Sequence, residues 1–375
     1  MNIYSHFFAL FRTSWIVRIL VFVVVAVSSV IIFYSVSPDA RVTVALRLCG
    51  IKSFQSQQIE CVYKVIQQEL LRGGVTSAIS TFSAANTMYR NTLDVDCHAA
   101  THRVGDMAYY DLFKNDPDLS YYEFPPETTI CGRGFYHGFF EHLIQDNPQP
   151  KFIVATCNYF KNAGPEYMKM ISMTCFHAAG HGLIRANAEQ VPRAEWGNPA
   201  PFVDTPLRIC DSMVGVTELE RNRCKTGVMS IFIQMNAFEN YGFSKKNAFE
   251  ACDSLISSQQ ETCYRMASLI ISQFEGDYKR AWSICSSAIP ALQQACIMSI
   301  PVGLFTNGIN PRSYQSALGF CSTVAATNAE YARLCYEQLG RVFIGEYKDP
   351  LYTPDCTLFP SEYRNLCTSP KSETP

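Results

Sequence analysis

Histidine is scarce in this chain, with seven among 375 residues. No C-x-x-C pair, no Asn-x-Ser/Thr sequon and no run of Lys or Arg beyond the N-terminus occurs. Each absence excludes something. Without C-x-x-C, zinc-ribbon, ferredoxin and c-type haem patterns fall away. A net charge of -2 and a pI near 6.4 leave no basic footprint, so nucleic acid is excluded as a partner, because phosphate binding needs clustered cations. A P-loop, G-x-S-x-G and H-E-x-x-H are all missing, the last of which removes the zincin reading. HD-type phosphohydrolases need a His-Asp dipeptide, and none is present. The missing sequon leans toward a bacterial exterior over a secretory pathway.

What the chain does have begins at its N-terminus. Residues Ile19 to Val36, ILVFVVVAVSSVIIFYSV, carry no charge, and eighteen such residues are about enough to cross a bilayer core of roughly 30 Å. Trp15 and Tyr34 stand near the two ends as interfacial aromatics do, and Arg12 and Arg18 precede the run. The sequence therefore predicts a cytoplasmic segment 1–14 and a single-pass signal-anchor over 15–37, with the bulk of the chain periplasmic or extracellular. A cleaved signal peptide is the competing reading, against which the length of the run and the lack of an A-x-A site both count.

Sixteen cysteines, none in the apolar run, agree with an oxidising compartment. The later ones fall in couples at 210/224, 252/263, 285/296, 321/335 and 356/367, separated by 14, 11, 11, 14 and 11 residues. Three couples follow the phrase Ala-x-x-x-Cys (AFEAC, AWSIC, ALGFC), and an apolar stretch follows the second cysteine in CKTGVMSIFI, CYRMASLIIS, CIMSIPVGLF and CYEQLGRVFI. A period of 30–40 residues marks stacked helical hairpins. Over residues 205–370 the pattern resembles tetratricopeptide and Sel1-like repeats, except that those families generally lack the cysteine clip. The resemblance implies an all-α stack of α-hairpins and no particular function; the cysteine couples make it a disulfide-clipped one. Nearest-neighbour pairing, adding 49–61, 97–131 and 157–175, is the economical connectivity, each short bridge contributing about 3 kcal/mol in the chain-entropy model.

Six of the seven histidines lie in three short stretches: CHAATH (Cys97–His102), YHGFFEH (Tyr136–His142) and CFHAAGH (Cys175–His181). His137 and His181 each stand six residues after a cysteine, in a slot occupied later by Ser230, Leu269, Val302 and Arg341. Residues i and i+4 share a helix face, which pairs His98 with His102, His177 with His181, and His137 with Glu141. His142, five residues on, is rotated about 140° away. His98, His102, His137, Glu141, His177 and His181 are thus the candidate ligands of a transition metal ion (zinc, iron or copper), since imidazole suits those metals and helix-borne His/Glu clusters hold them. Asp94, Asp96, Asp106 and Asp111 are candidates to orient the imidazoles. Glycines 105, 134, 138, 180 and 182 beside these histidines point to close helix packing. A structural or pH-responsive histidine cluster, a haem or other cofactor site, and cysteine ligation by 97, 131 or 175 compete with the metal reading. The phrases CHxxxH, GFYHGFFEH and CFHxxGHG also resemble an uncharacterised group of His/Cys-motif helical proteins over residues 97–184, which implies no activity.

The organisation expected is a His-rich helical module at 49–205 and Cys-paired hairpins at 206–375. The function expected is that of a membrane-anchored exterior metal-binding protein or metal-dependent enzyme. The alternative is a non-catalytic repeat scaffold that binds a protein partner on its surface, with the histidines structural.

Overall fold

The computed structural model describes residues 15–36, 38–52, 54–89, 97–115, 119, 124–162, 166–238, 241–243, 250–266, 278–306, 313–341 and 355–368. No strand occurs among the described residues. In chain order the helices are α1 (Trp15–Val36), α2 (Pro38–Cys49), α3 (Gln55–Met88), α4 (Cys97–Ala108), α5 (Ile130–Asp146), α6 (Pro150–Asn162), α7 (Glu166–Ala188), α8 (Ala200–Ser212), α9 (Glu218–Phe238), α10 (Glu250–Asp253), α11 (Ser257–Arg265), α12 (Tyr278–Ser286), α13 (Pro290–Thr306), α14 (Ser313–Ala325), α15 (Ala329–Arg341) and α16 (Arg364–Thr368).

Cysteines close the hairpins. Cys49–Cys61 joins α2 to α3, Cys157–Cys175 joins α6 to α7, and Cys210–Cys224 joins α8 to α9. Cys252–Cys263, Cys285–Cys296, Cys321–Cys335 and Cys356–Cys367 continue the series. These are the nearest-neighbour pairs expected from the sequence, at separations of 11 to 18 residues. The expected Cys97–Cys131 bridge falls on the Cys97 side chain, which lies outside the described residues, as do Asp94, Asp96 and the slot side chains of Leu269 and Val302; Cys131 itself is disulfide-bonded. The disulfides and the buried apolar residues from Val42 to Cys367 form one continuous core.

The N-terminal expectation is corrected. α1 runs over 22 residues, Trp15–Val36. Among the described residues no helix is long and apolar enough to cross a membrane. The transmembrane anchor in the fold class, and the single-pass membrane localisation resting on it, are not supported.

Glycine sets the spacing between the helices that carry the histidines. A methyl group at Gly105 would overlap the Phe135 carbonyl oxygen on α5, and one at Gly134 or Gly138 would overlap the His98 or His102 carbonyl on α4. Gly182 meets the Glu141 carbonyl, Gly180 the Cys224 carbonyl, and Gly227 the His177 carbonyl. Four helices, α4, α5, α7 and α9, therefore lie side by side, backbone against backbone.

The start of α9 illustrates how these ends are fixed. Thr217 and Glu220 form a reciprocal capping box: the Thr217 backbone N–H donates to Glu220 Oε2 at 2.6 Å, and the Glu220 N–H donates to Thr217 Oγ1 at 3.3 Å. Lys161 Nζ on α6 donates to Glu220 Oε1 at 2.8 Å. Burial alone would raise the Glu220 carboxyl, but Lys161 and the Thr217 donors outweigh it and hold it below its ordinary value. A depressed folded-state pKa stabilises above the unfolded value of about 4.3 and stops doing so as pH falls through the folded value. Glu220→Ala should cost about 2 kcal/mol at pH 7 in urea unfolding, and the gap from the parent protein should narrow below about pH 4. An equal cost at pH 7 and pH 3 would show that the carboxylate charge is not the cause.

Candidate metal centre

The repeat frame places equivalent residues of successive second helices next to one another. The slot residues meet in order: the His137 and His181 rings are 5.6 Å apart, and Ser230 Oγ lies 2.8 Å from His181 Nε2. One turn earlier, His177 Nδ1 is 3.2 Å from Thr226 Oγ1. One turn later, Arg185 Nε donates to Glu141 Oε1. α4 completes the row, with His98 Nε2 3.0 Å from His137 Nδ1 and His102 Nε2 3.4 Å from Glu141 Oε2.

The six candidate ligands are thus brought together. Ring centroids step from His98 to His137 (4.7 Å), His137 to His177 (5.3 Å) and His177 to His181 (4.8 Å). His181 Nδ1 is 3.1 Å from Glu141 Oε2. Within the cluster, His102, Glu141 and His181 form a group that could hold a metal ion, one ligand atom from each lying within 4.8 Å of the others. Glu141 and His181 are buried, whereas His98, His102, His137 and His177 are half-buried.

His142 stands outside the row of rings, as its five-residue offset from His137 requires, but it is not isolated. Its Nε2 lies 3.4 Å from Asp106 Oδ1, and Tyr110 Oη lies 3.1 Å from its Nδ1. Asp106 Oδ1 in turn stands 3.3 Å from His102 Nδ1. Asp111 accepts from Gln67 Nε2 at 2.8 Å.

The outward partners fix the tautomers. His98 Nδ1 faces the Cys131 carbonyl oxygen at 3.1 Å. A carbonyl only accepts, so this nitrogen carries the proton and Nε2 presents its lone pair to the cluster. His102 Nδ1 faces the Asp106 carboxylate in the same sense. Thr226 Oγ1 donates to the Arg223 carbonyl at 2.8 Å, which leaves its oxygen to accept from His177 Nδ1. Ser230 Oγ donates to the Gly227 carbonyl at 2.9 Å and so accepts from His181 Nε2, turning the His181 Nδ1 lone pair toward Glu141 Oε2. Lone pairs of His102 and His181 therefore converge on one carboxylate oxygen. A cation between them, a proton or a metal ion, is what reconciles three acceptors at such separations.

Electrostatics follow from burial and crowding. Burial and the neighbouring His102 lower His98 to about 4. Burial, with other histidines on several sides, keeps His137 well below the ordinary imidazole range. Burial, then His181 and Arg223, do the same for His177. His181 is lowered by burial despite Glu141. Burial also opposes protonation of His102, yet Asp106 and Glu141 outweigh it and push that ring up to about 10. Burial would raise Glu141, but His102, His181 and Arg185 hold it well below the usual carboxylate range. Four imidazoles are thus neutral beside one ionised carboxylate, while His102 keeps a proton between Asp106 and Glu141 that a bound metal ion would have to displace.

The loop into α5 is strained. Cys131, Gly132 and Arg133 adopt φ of 54°, 62° and 64° in succession, and the left-handed region costs a non-glycine residue about 1–2 kcal/mol. This turn presents the Cys131 carbonyl to His98.

Sequence reasoning singled out the ligands and Asp106 but not their other partners, Arg185, Thr226 and Ser230. Thr226 and Ser230 lie on α9, beyond the expected module boundary at 205/206, so the cluster is shared across it. The slot alignment had placed Ser230 in register with His181, and that was the signal available. The chain matches no protein-family model, no curated protein and no solved structure.

Proposed function

We propose that this is a transition-metal-binding protein of an oxidising compartment, with a primary ligand set of His102 Nε2, Glu141 Oε2 and His181 Nδ1 and with His98, His137 and His177 as adjoining donors. The observation that supports it best is the outward anchoring: Asp106 stands 3.3 Å from the far nitrogen of His102, Ser230 accepts from that of His181, and Arg185 donates to the second oxygen of Glu141. Such partners orient ligands and tune their basicity. Two imidazoles and one carboxylate form the donor set of hydrolytic zinc sites and also of non-haem iron sites, and a bound ion would supply Lewis acidity there. Three protein ligands leave coordination positions open, which marks a site for chemistry over a closed structural one.

In this reading the segment 49–205 supplies the donors and the hairpins of 206–375 brace them through α9. The protein's own residues hold the ligand geometry: the α4–α5 and α5–α7 contacts set the distances, and Asp106, Ser230 and Thr226 set the ring orientations.

Elemental analysis of the full chain purified without chelator should find about one equivalent of zinc, iron or copper, and Glu141→Gln should lower it sharply while helicity is retained. Trace metal only, together with no uptake of any of the three ions by folded protein, would sink the proposal.

A further inference from the structure

Two arginines beside the histidine row lack a counter-charge. Among the described residues, Arg133 and Arg223 form no ion pair and donate no side-chain hydrogen bond. The other half-buried arginines are all engaged: Arg41 with Glu69, Arg185 with Glu141, Arg221 with Glu218 and Arg341 with Glu337. A guanidinium that is partly desolvated and unpaired costs free energy unless something it meets in function repays it.

Their placement is specific. Arg133 ends the left-handed turn whose Cys131 carbonyl anchors His98, at one end of the ring series His98, His137, His177. Arg223 lies at the other end, its carbonyl receiving the Thr226 hydroxyl that positions His177. Both charges are felt by the nearest rings, Arg133 by His98 and Arg223 by His177. Arg133 also sits at a φ of 64° where glycine would be relaxed. Keeping a strained arginine there is the pattern of a residue retained for a task other than stability.

We propose that the row of half-exposed imidazoles is the binding face for an oxyanion, a phosphoryl or carboxylate group, clamped by Arg133 and Arg223. The anionic end of the substrate is thereby held beside the centre formed by His102, Glu141 and His181. Guanidinium forks match the planar geometry of such groups, and the neutral rings between them add donors and acceptors without a competing negative charge. The proposal rests on the metal-centre reading for the direction in which the bound group points, and not for the binding itself.

Calorimetric titration of the zinc-loaded full chain with inorganic phosphate, and separately with acetate, tests it. One anion should bind, phosphate assigning a phosphoryl substrate and acetate a carboxylate. Arg133→Gln and Arg223→Gln should each weaken it about tenfold, with zinc content unchanged, and the double variant should show no binding. Arg133→Gly should lose the anion while raising the Tm, because glycine relieves the turn. Failure of both anions to bind the folded, zinc-loaded protein would overturn the proposal. So would parental affinity in the double variant or in Arg133→Gly. If zinc does not load but the anion still binds and depends on both arginines, the metal reading falls and the clamp stands.

Discussion

Gly227→Ala should lower the unfolding free energy by about 3 kcal/mol, a typical upper cost for overpacking a closed interface, and reduce the Tm by roughly 4 °C. The added methyl group would overlap the His177 carbonyl oxygen, with Gly180 Cα at 3.1 Å on the same helix. Neither contact is the end of a flexible side chain, so α7 and α9 must move apart. The movement would pull Thr226 and Ser230 away from His177 and His181, so metal affinity should fall with stability. Gly340→Ala supplies the comparison. There a methyl group would overlap the Leu366 carbonyl at the far end of the chain, which should cost similar stability and leave metal binding intact. Thermal unfolding and zinc titration of both variants decide the matter; a Gly227→Ala protein with parental stability would mean that the α7–α9 crossing has room for a methyl group.

The second large effect concerns affinity. His181→Ala should weaken zinc binding roughly a thousandfold, beyond the 10–100-fold typical of partners that only orient a ligand. Ser230→Ala should fall in that lower range, about tenfold, because it removes the acceptor for His181 Nε2 and leaves Nδ1 in place. His142→Ala should change zinc binding less than either, since His142 touches the centre only through Asp106. Competition against a chromophoric chelator gives the three affinities. Equal losses for His181→Ala and His142→Ala would contradict the assigned roles.

Much of the cluster could be read from linear spacing because helices convert spacing into faces. His98/His102 and His177/His181 at i,i+4, and Glu141 four residues after His137, needed only the 3.6-residue turn. The cysteine couples added a frame that aligned His137, His181 and Ser230, and stacking then made neighbours of them. Lateral chemistry was less legible. That Arg185 would reach Glu141, or that Thr226 would meet His177, depends on the rotation of each helix about its axis, which glycine contacts settle in three dimensions and which leaves little trace in spacing. Asp106 was picked out as an orienting carboxylate by proximity alone; its position between His102 and His142 came from the α4–α5 crossing. The N-terminal run misled because absence of charge over eighteen residues is a statement about composition, and among the described residues no helix is long and apolar enough to cross a membrane.

The disulfides have a consequence for how the chain would come apart. Each described bridge closes a hairpin on itself, and none ties α7 to α5 or to α9. Covalent bonds thus make sturdy leaves, while the spine that gathers the leaves at the place where the histidines meet is held, among the described residues, by packing, hydrogen bonds and ion pairs. An ion bound across those helices would act as the missing stitch. Its release would let neighbouring hairpins part without any bond being reduced, so a chelator, and not a reductant, is the reagent that should open the book at this page.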